Sequence, residues 1–364
     1  MLAGVLARDL CFSVRLVVSK GSFARKPYRY KHAVCMPALP ARKAMGRFLS
    51  IPWLLLSLPL LIRRDRKRGR RVVLFVRNEP AYLLATVLLR ALCDRIIFQS
   101  SFPHEHFRHG QLKLRTARLL YKLSAKAVDG VLVVSPLGEQ RVRQYFPPPC
   151  PIMVIPLLSD LEPTGLTRTG NISEDEAHDE AVKFIYIGTH APQRELDIVL
   201  KTVVAAMQDG LNAHFLFVGG SRADIERLRT IEGVYWLEEQ QRLRFLEKIP
   251  RSSALALLTQ ADVGLSLIPP LELFRELSPT KLAEYMGAGL CVLASRGIPL
   301  QEEFVGRSEC GWLADWDIDA MRRAIVEICT GRDMIPEKKR KALEYAGKYL
   351  RYENYYPEFR KLLL

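Results

Sequence analysis

Short runs of apolar, β-branched residues recur along this chain, separated by longer stretches of helical period. That alternation marks parallel α/β layers, because a parallel strand is reached by a crossover that is usually a helix. It occurs twice. In the first half, residues 14–19, 72–76, 95–100, 131–135 and 152–156 read as strands, with helices over 80–93 and 111–128. Residues 161–180 are polar, acidic and without apolar period, which reads as a linker or surface excursion. The alternation restarts with strands over 183–188, 213–220, 263–269 and 291–295. Helices fall near 196–208, 222–231, 252–260, 279–288 and 317–329. The expected fold is α/β, with two doubly wound domains in tandem over residues 1–160 and 181–336. Residues 337–364 read as a tyrosine-rich helix that packs back toward the N-terminal domain.

The 364 residues are 49% hydrophobic and 26% charged, so the chain is globular rather than disordered or collagen-like. Seven cysteines, scattered without a C-x-x-C pair, argue against structural zinc and a disulfide scaffold. They fit a reducing compartment. Charge is unevenly spread. Residues 1–160 hold 28 Lys and Arg against 8 Asp and Glu, whereas residues 161–364 hold 26 against 31. The basic half is expected to face an anionic partner. No nucleic-acid module is recognisable, so that partner is not expected to be nucleic acid.

The strongest apolar run, residues 48–62 (FLSIPWLLLSLPLLI), is fifteen residues long. A spanning helix needs about 20. Directly after it, residues 63–71 (RRDRKRGRR) place seven Lys and Arg in nine positions. Trp53 in the run, with Arg63, Arg64, Arg66, Lys67 and Arg68, is expected to lie on an anionic membrane surface. The first eighteen residues, broken by Arg8, Asp9 and Arg15, lack the plan of a signal peptide. The expected location is cytoplasmic, peripheral on the inner face of the membrane.

The most informative stretch is residues 272–295 (ELFRELSPTKLAEYMGAGLCVLAS). Ser278, Pro279 and Thr280 read as an N-cap followed by proline at the first helical position. The helix they open presents unpaired N–H groups and a positive dipole end, suited to a diphosphate. Gly287 and Gly289 end it. Glu276 lies on the approach loop and Glu284 inside the helix, so both carboxylates can accept hydrogen bonds from the sugar or ribose hydroxyls of one ligand.

This segment resembles the donor-binding element of retaining glycosyltransferases of the GT-B fold, in particular glycosyltransferase family 4, the glycosyl transferases group 1. The resemblance rests on Glu276, the seven residues up to Glu284, and residues 287–295, with Cys291 where proline is usual. It extends to residues 184–203, which look like the strand, glycine turn and helix that open the family's C-terminal domain. There Gly188 is the turn glycine, Thr189 stands where an arginine is usual, and Arg194 stands where a lysine binds the diphosphate. Residues 216–220, with Gly219, resemble the glycine-ended strand near the nucleotide. Residues 245–269 resemble the segment that lines the base, with Glu247 in place of glycine. Residues 129–146 and 154–160 resemble the crossover from the first domain.

What the resemblance implies is a GT-B fold of two Rossmann-like domains facing a central cleft. The activity it implies is metal-independent, retaining transfer of a hexosyl group from a UDP- or GDP-linked sugar to an acceptor hydroxyl. Gly188, Arg194, Gly219, Ser278, Thr280, Lys281 and Glu284 would bind the donor, and Glu276 would orient its sugar. On the acceptor side, Asn78 and Glu79 sit in a turn like the family's, and Gly21 in a basic loop over 19–33. His104, beside Glu105 and His106, is the candidate catalytic histidine at a strand end. A sugar, lipid-linked or polysaccharide acceptor fits the basic first half. No cofactor and no metal is implied: Asp315, Trp316 and Asp317 spell D-x-D away from the donor elements and read as a chance match. Two alternatives stay open, a GT-B nucleotide-sugar epimerase and a degenerate, non-catalytic membrane-bound assembly partner.

Overall fold

The computed structural model describes residues 13–18, 28–30, 33–37, 44–101, 111–159 and 181–364. Gly21, His104 and the 161–180 segment lie outside them. The chain divides into two compact units, Met1–Pro156 with Tyr352–Leu364, and Leu157–Arg351.

In the first unit, β1 (Arg15–Val18), β2 (Tyr28–Tyr30) and β3 (Ala33–Pro37) form a three-stranded sheet in the order β1-β3-β2. This corrects the reading of residues 14–19 as the opening strand of the main sheet and of 19–33 as loop throughout. The short apolar run at 33–37 gives β1 a parallel partner closer in sequence than the next α/β strand. Helix α1 (Ala44–Arg66) follows and runs through Pro52 and Pro59. Its Leu54 and Ile62 are buried, and Ser50 and Tyr82 share a hydrogen bond of 2.8 Å between hydroxyls. Among the described residues, no helix is long and apolar enough to cross a membrane.

The first unit's main sheet is built from β4 (Val73–Arg77), β5 (Arg95–Ser100), β6 (Gly130–Val133) and β7 (Ile152–Val154), all parallel and in chain order. Helices α2 (Pro80–Val87), α3 (Gln111–Ala125) and α4 (Pro136–Tyr145) make the crossovers. Such crossovers are right-handed, so in a sheet of sequential order they fall on one face. Phe98, Tyr121 and Phe146 meet there with ring centroids 5.6 Å apart, a tilted and edge-on trio at the core.

The second unit opens with β8 (Val182–Ile187), α5 (Leu196–Met207), β9 (Ala213–Gly220), α6 (Arg222–Arg229), α7 (Val234–Glu239) and β10 (Leu243–Glu247). It continues with α8 (Arg251–Ala256), β11 (Val263–Ser266), α9 (Glu272–Arg275), α10 (Thr280–Gly287) and β12 (Cys291–Ser295). Helix α11 (Pro299–Ser308), β13 (Gly311–Ala314), α12 (Ile318–Thr330) and α13 (Ile335–Tyr349) complete it. The six strands are parallel in the order β10-β9-β8-β11-β12-β13. Apolar cores cover both faces, as a doubly wound sheet requires. The order reverses between β8 and β11, and ligands of such sheets bind outside the carboxyl ends of the strands at that point. The tail read as one helix is two: α13 stays in the second unit, whereas α14 (Tyr356–Leu363) belongs to the first. There Arg95 Nη1 donates to the carbonyl of Leu362 at 3.1 Å and Arg71 Nη2 to that of Leu364 at 2.9 Å.

Candidate active site

The carboxyl ends of β8 and β9 meet backbone to backbone. Gly188 N–H donates to the Val218 carbonyl at 2.9 Å, and Gly219 stands at φ +114°. A Cβ on Gly219 would lie 2.5 Å from the Gly188 carbonyl oxygen, so only glycine fits. Beyond Gly188, Thr189 is exposed and a short 3-10 turn, Pro192–Arg194, presents Arg194. Its guanidinium lies 5.3 Å from the ring centroid of Phe274, a buried residue of α9. The segment leaving β8 therefore touches the one that leads into α10.

Helix α10 starts differently from expectation. Its N-cap is Pro279, with no side-chain cap, because the Ser278 hydroxyl accepts the Leu157 N–H at 2.7 Å instead. No serine oxygen therefore occupies the orphan N–H groups of the first turn, a free helix N-terminus being suited to anions. Thr280 is half-buried at that first position. One turn on, the buried Tyr285 fixes the helix in place: its hydroxyl accepts the Ile187 N–H at 2.8 Å. Gly264 of β11 makes room for it, since a Cβ there would meet the Tyr285 ring at 2.4 Å. Tyr285 was not foreseen; a glycine inside a strand pattern was the available signal.

Glu284 is buried, with its side chain 3% exposed. Arg251 Nη2 donates to Oε1 at 2.8 Å, and Lys281 Nζ donates to Oε2 at 2.6 Å. Two cations on one carboxylate leave a net positive cluster beside the α10 N-terminus. Ionised carboxylate oxygens offer about four lone-pair sites, so acceptor capacity is left for hydroxyls. Lys281, expected to face a diphosphate, is thus engaged by Glu284, and Arg251 joins the cluster unforeseen. Glu276 caps the C-terminus of α9 and is half-buried.

His190, in the turn after β8, is fully buried among Tyr186, Phe217 and Phe245, and neither ring nitrogen has a hydrogen-bond partner. Burial pushes its pKa down to about 4. In the unfolded chain it titrates near 6.5, so acid protonates the unfolded state first. Stability should be fully present above about pH 6.5 and fall as pH drops toward 4, with roughly 2 kcal/mol lost between pH 7 and pH 5. Urea unfolding at those two pH values measures it. His190→Leu should flatten the dependence by that amount; an unchanged slope would assign the acid sensitivity elsewhere.

A cavity of about 240 Å³ between α6 and β10 is lined by Arg222, Ile225, Glu226, Arg229, Phe245 and Glu247. Its charges cancel, and Arg229 is held by Glu226 and Glu238, so it lacks the net positive character of the α10 cluster.

Comparison with known proteins gives this geometry its context. Residues 181–330 match the family described as Glycosyl transferases group 1. No curated protein matches the chain in sequence. Among solved structures, sucrose-phosphate synthase from Thermosynechococcus elongatus aligns with a TM-score of 0.73 at 19% identity, covering 99% of this chain and 90% of its own. The trehalose-phosphate synthase of Burkholderia xenovorans, in complex with glucose-6-phosphate, aligns at TM-score 0.67 and 14% identity, over 96% and 90% of the two chains. Anabaena HepE, in complex with UDP and glucose, aligns at 0.67 and 13%, over 91% and 85%. The chain has the GT-B glycosyltransferase fold. The matched segment of this GT-B chain spans β8 to α12 and so contains every candidate donor residue named above.

In the first unit of the GT-B chain, Asn78 is buried in a left-handed turn at φ +61°. Its Oδ1 accepts the Ser101 N–H at 2.8 Å, which ties the carboxyl ends of β4 and β5 together. Glu79 is the N-cap residue of α2 and half-buried. Asp317 caps α12 through the Ala320 N–H at 2.8 Å, and Asp315 lies 3.7 Å from Arg296, so the D-x-D residues serve local structure. Cys291 is buried in β12, where burial pushes its thiol up to about 12. Of the basic cluster, Arg66 pairs with Asp94 at 3.0 Å, whereas Arg63, Arg64, Lys67 and Arg68 are exposed; Trp53 is half-buried.

Proposed function

We propose that this chain transfers a hexosyl group from a UDP- or GDP-linked sugar to an acceptor hydroxyl, with retention and without a metal. The observation that carries the reading is the uncapped N-terminus of α10 at the switch point of the second unit's sheet, beside the Arg251–Glu284–Lys281 cluster, with Arg194 over Phe274 of the preceding helix α9. When the bond from sugar to diphosphate breaks, negative charge grows on the leaving group, and preorganised N–H groups and cations stabilise it there. Glu284 would receive the ribose hydroxyls, and Glu276 would orient the donor sugar. A screen of nucleotide sugars with mass detection, run in EDTA, should find hexosyl transfer from one uridine or guanosine donor. Arg194→Ala should weaken nucleoside diphosphate binding about tenfold more than binding of the nucleoside alone, a charge-assisted contact being lost. Equal losses for both ligands would contradict its assignment to the diphosphate.

The acceptor we propose is lipid-linked or a polysaccharide met at the cytoplasmic membrane face. Arg63, Arg64, Lys67 and Arg68 form an exposed cationic end of α1 and the turn after it. Each cation near an anionic surface is worth about 1 kcal/mol. Replacing all four with serine should lower binding to anionic liposomes at least a hundredfold at low salt while sparing transfer to a soluble acceptor. Undiminished binding would remove this cluster from the docking surface.

A further inference from the structure

Helix α3 sits in the same layer as α2, on which α1 also packs. Its inward side is closed by Ala117, Tyr121, Ser124 and Ala125, all buried. Its outward side is not wholly polar. Leu112, Leu119 and Leu123 are 79%, 56% and 58% exposed, in steps of seven and four residues that align them in one stripe. Leu56 and Leu60 of α1, and Leu88 just past α2, are likewise exposed. Elsewhere in the described residues of this unit, only the terminal Leu364 is an exposed large apolar side chain. The six leucines lie on α1, α3 and the residue just past α2, with α1 and α3 both packed on α2, and exposed apolar surface of this extent marks contact sites.

Charge decides what covers it. Arg115, Lys122 and Lys126 stand exposed beside the α3 stripe, and the exposed cations of α1 flank the other leucines. A like-charged second copy would bring two cationic surfaces together, whereas an anionic lipid surface satisfies both the leucines and the cations. We propose that α3 is a second membrane-contact element, and that α1, the end of α2 and α3 together form one lipid-facing surface. The proposal deepens the membrane part of the proposed function and rests on it. The leucines supply a salt-insensitive share of binding, and the cations a share screened over about 8 Å at physiological ionic strength.

The test is co-sedimentation of the full chain with vesicles of mixed phosphatidylglycerol and phosphatidylcholine. Three proteins are compared: the wild type, the four-serine variant of the α1 cluster, and Leu112→Gln, Leu119→Gln, Leu123→Gln. The glutamine variant should bind at least tenfold more weakly, and its deficit should persist in high salt. Glutamine keeps helix propensity; if the triple variant loses helical circular dichroism, Leu112→Gln with Leu119→Gln is used instead and should show at least a threefold deficit. If the wild type binds and the serine variant does not, yet the glutamine variant binds as the wild type, α3 is excluded and the α1 docking stands. If the wild type ignores the vesicles at low salt, both readings fall. If light scattering shows that the glutamine changes turn a dimer into a monomer with vesicle binding unchanged, the surface is a self-association face and the proposal is overturned.

Discussion

Glu284→Ala should weaken binding of the cognate nucleoside diphosphate by roughly tenfold to a hundredfold, the loss of about 1.5–3 kcal/mol associated with a hydrogen bond to a charged group. The fold should survive the change. Arg251 and Lys281, released from the carboxylate, are each 42% exposed and recover solvation, so no buried charge is stranded. Calorimetric titration of UDP and GDP against both proteins, with circular dichroism as the folding control, measures the effect. Glu284→Gln should retain part of the affinity, since the amide oxygen still accepts one hydroxyl. Unchanged affinity in a folded alanine variant would leave Glu284 with the task of holding Arg251 and Lys281, and no contact with the ribose.

The second large effect is expected at Gly219. Alanine there would need φ +114° and would press its Cβ to 2.5 Å from the Gly188 carbonyl oxygen, which is backbone and cannot swing away. Backbone strain of this kind costs on the order of 1–3 kcal/mol before the clash is counted. Gly219→Ala should therefore lower stability by at least about 2 kcal/mol and push apart the two turns that flank the candidate site. Chemical denaturation and nucleotide titration should show both losses. Gly210→Ala is the useful control: it too has positive φ, at +74°, but nothing lies within 4 Å of its Cβ, and it is remote from the α10 cluster in sequence and exposed. Its effect should be confined to stability. A Gly219 variant as stable as the wild type, or one that binds nucleotide normally, would contradict the account of the turn.

The fold was legible where periodicity had no competitor. Four of the second unit's six strands carry apolar runs with glycine or proline close by, whereas the edge strands β10 (LRFLE) and β13 (GWLA) are short, lack β-branched residues and are not read as strands from sequence. The first unit was harder to read. The strand Ala33–Pro37 is five residues long and ends on proline, so the sheet it builds with β1 has no periodic signature. At the candidate site, Glu276 and Glu284 can be picked out because they flank a helix start, and Arg194 because its turn resembles the one that opens the family's C-terminal domain. What could not be read is how side chains spend their hydrogen bonds over long sequence separations. Ser278 satisfies a backbone N–H 121 positions away, and Arg251 reaches Glu284 from another helix, so neither role is local. His190 was passed over because a lone histidine between Thr189 and Ala191 carries no pattern; only its burial reveals it.

The switch point of the second unit is expected to bind a nucleoside diphosphate through the α10 N-terminus and the cations near it. The most direct measurement is calorimetric titration of the full chain with UDP and GDP, each paired with its nucleoside, in EDTA. One diphosphate should bind at least tenfold more tightly than its nucleoside, and Arg194→Ala should shrink that gap. Binding of neither diphosphate, or equal binding of diphosphate and nucleoside, would contradict the claim.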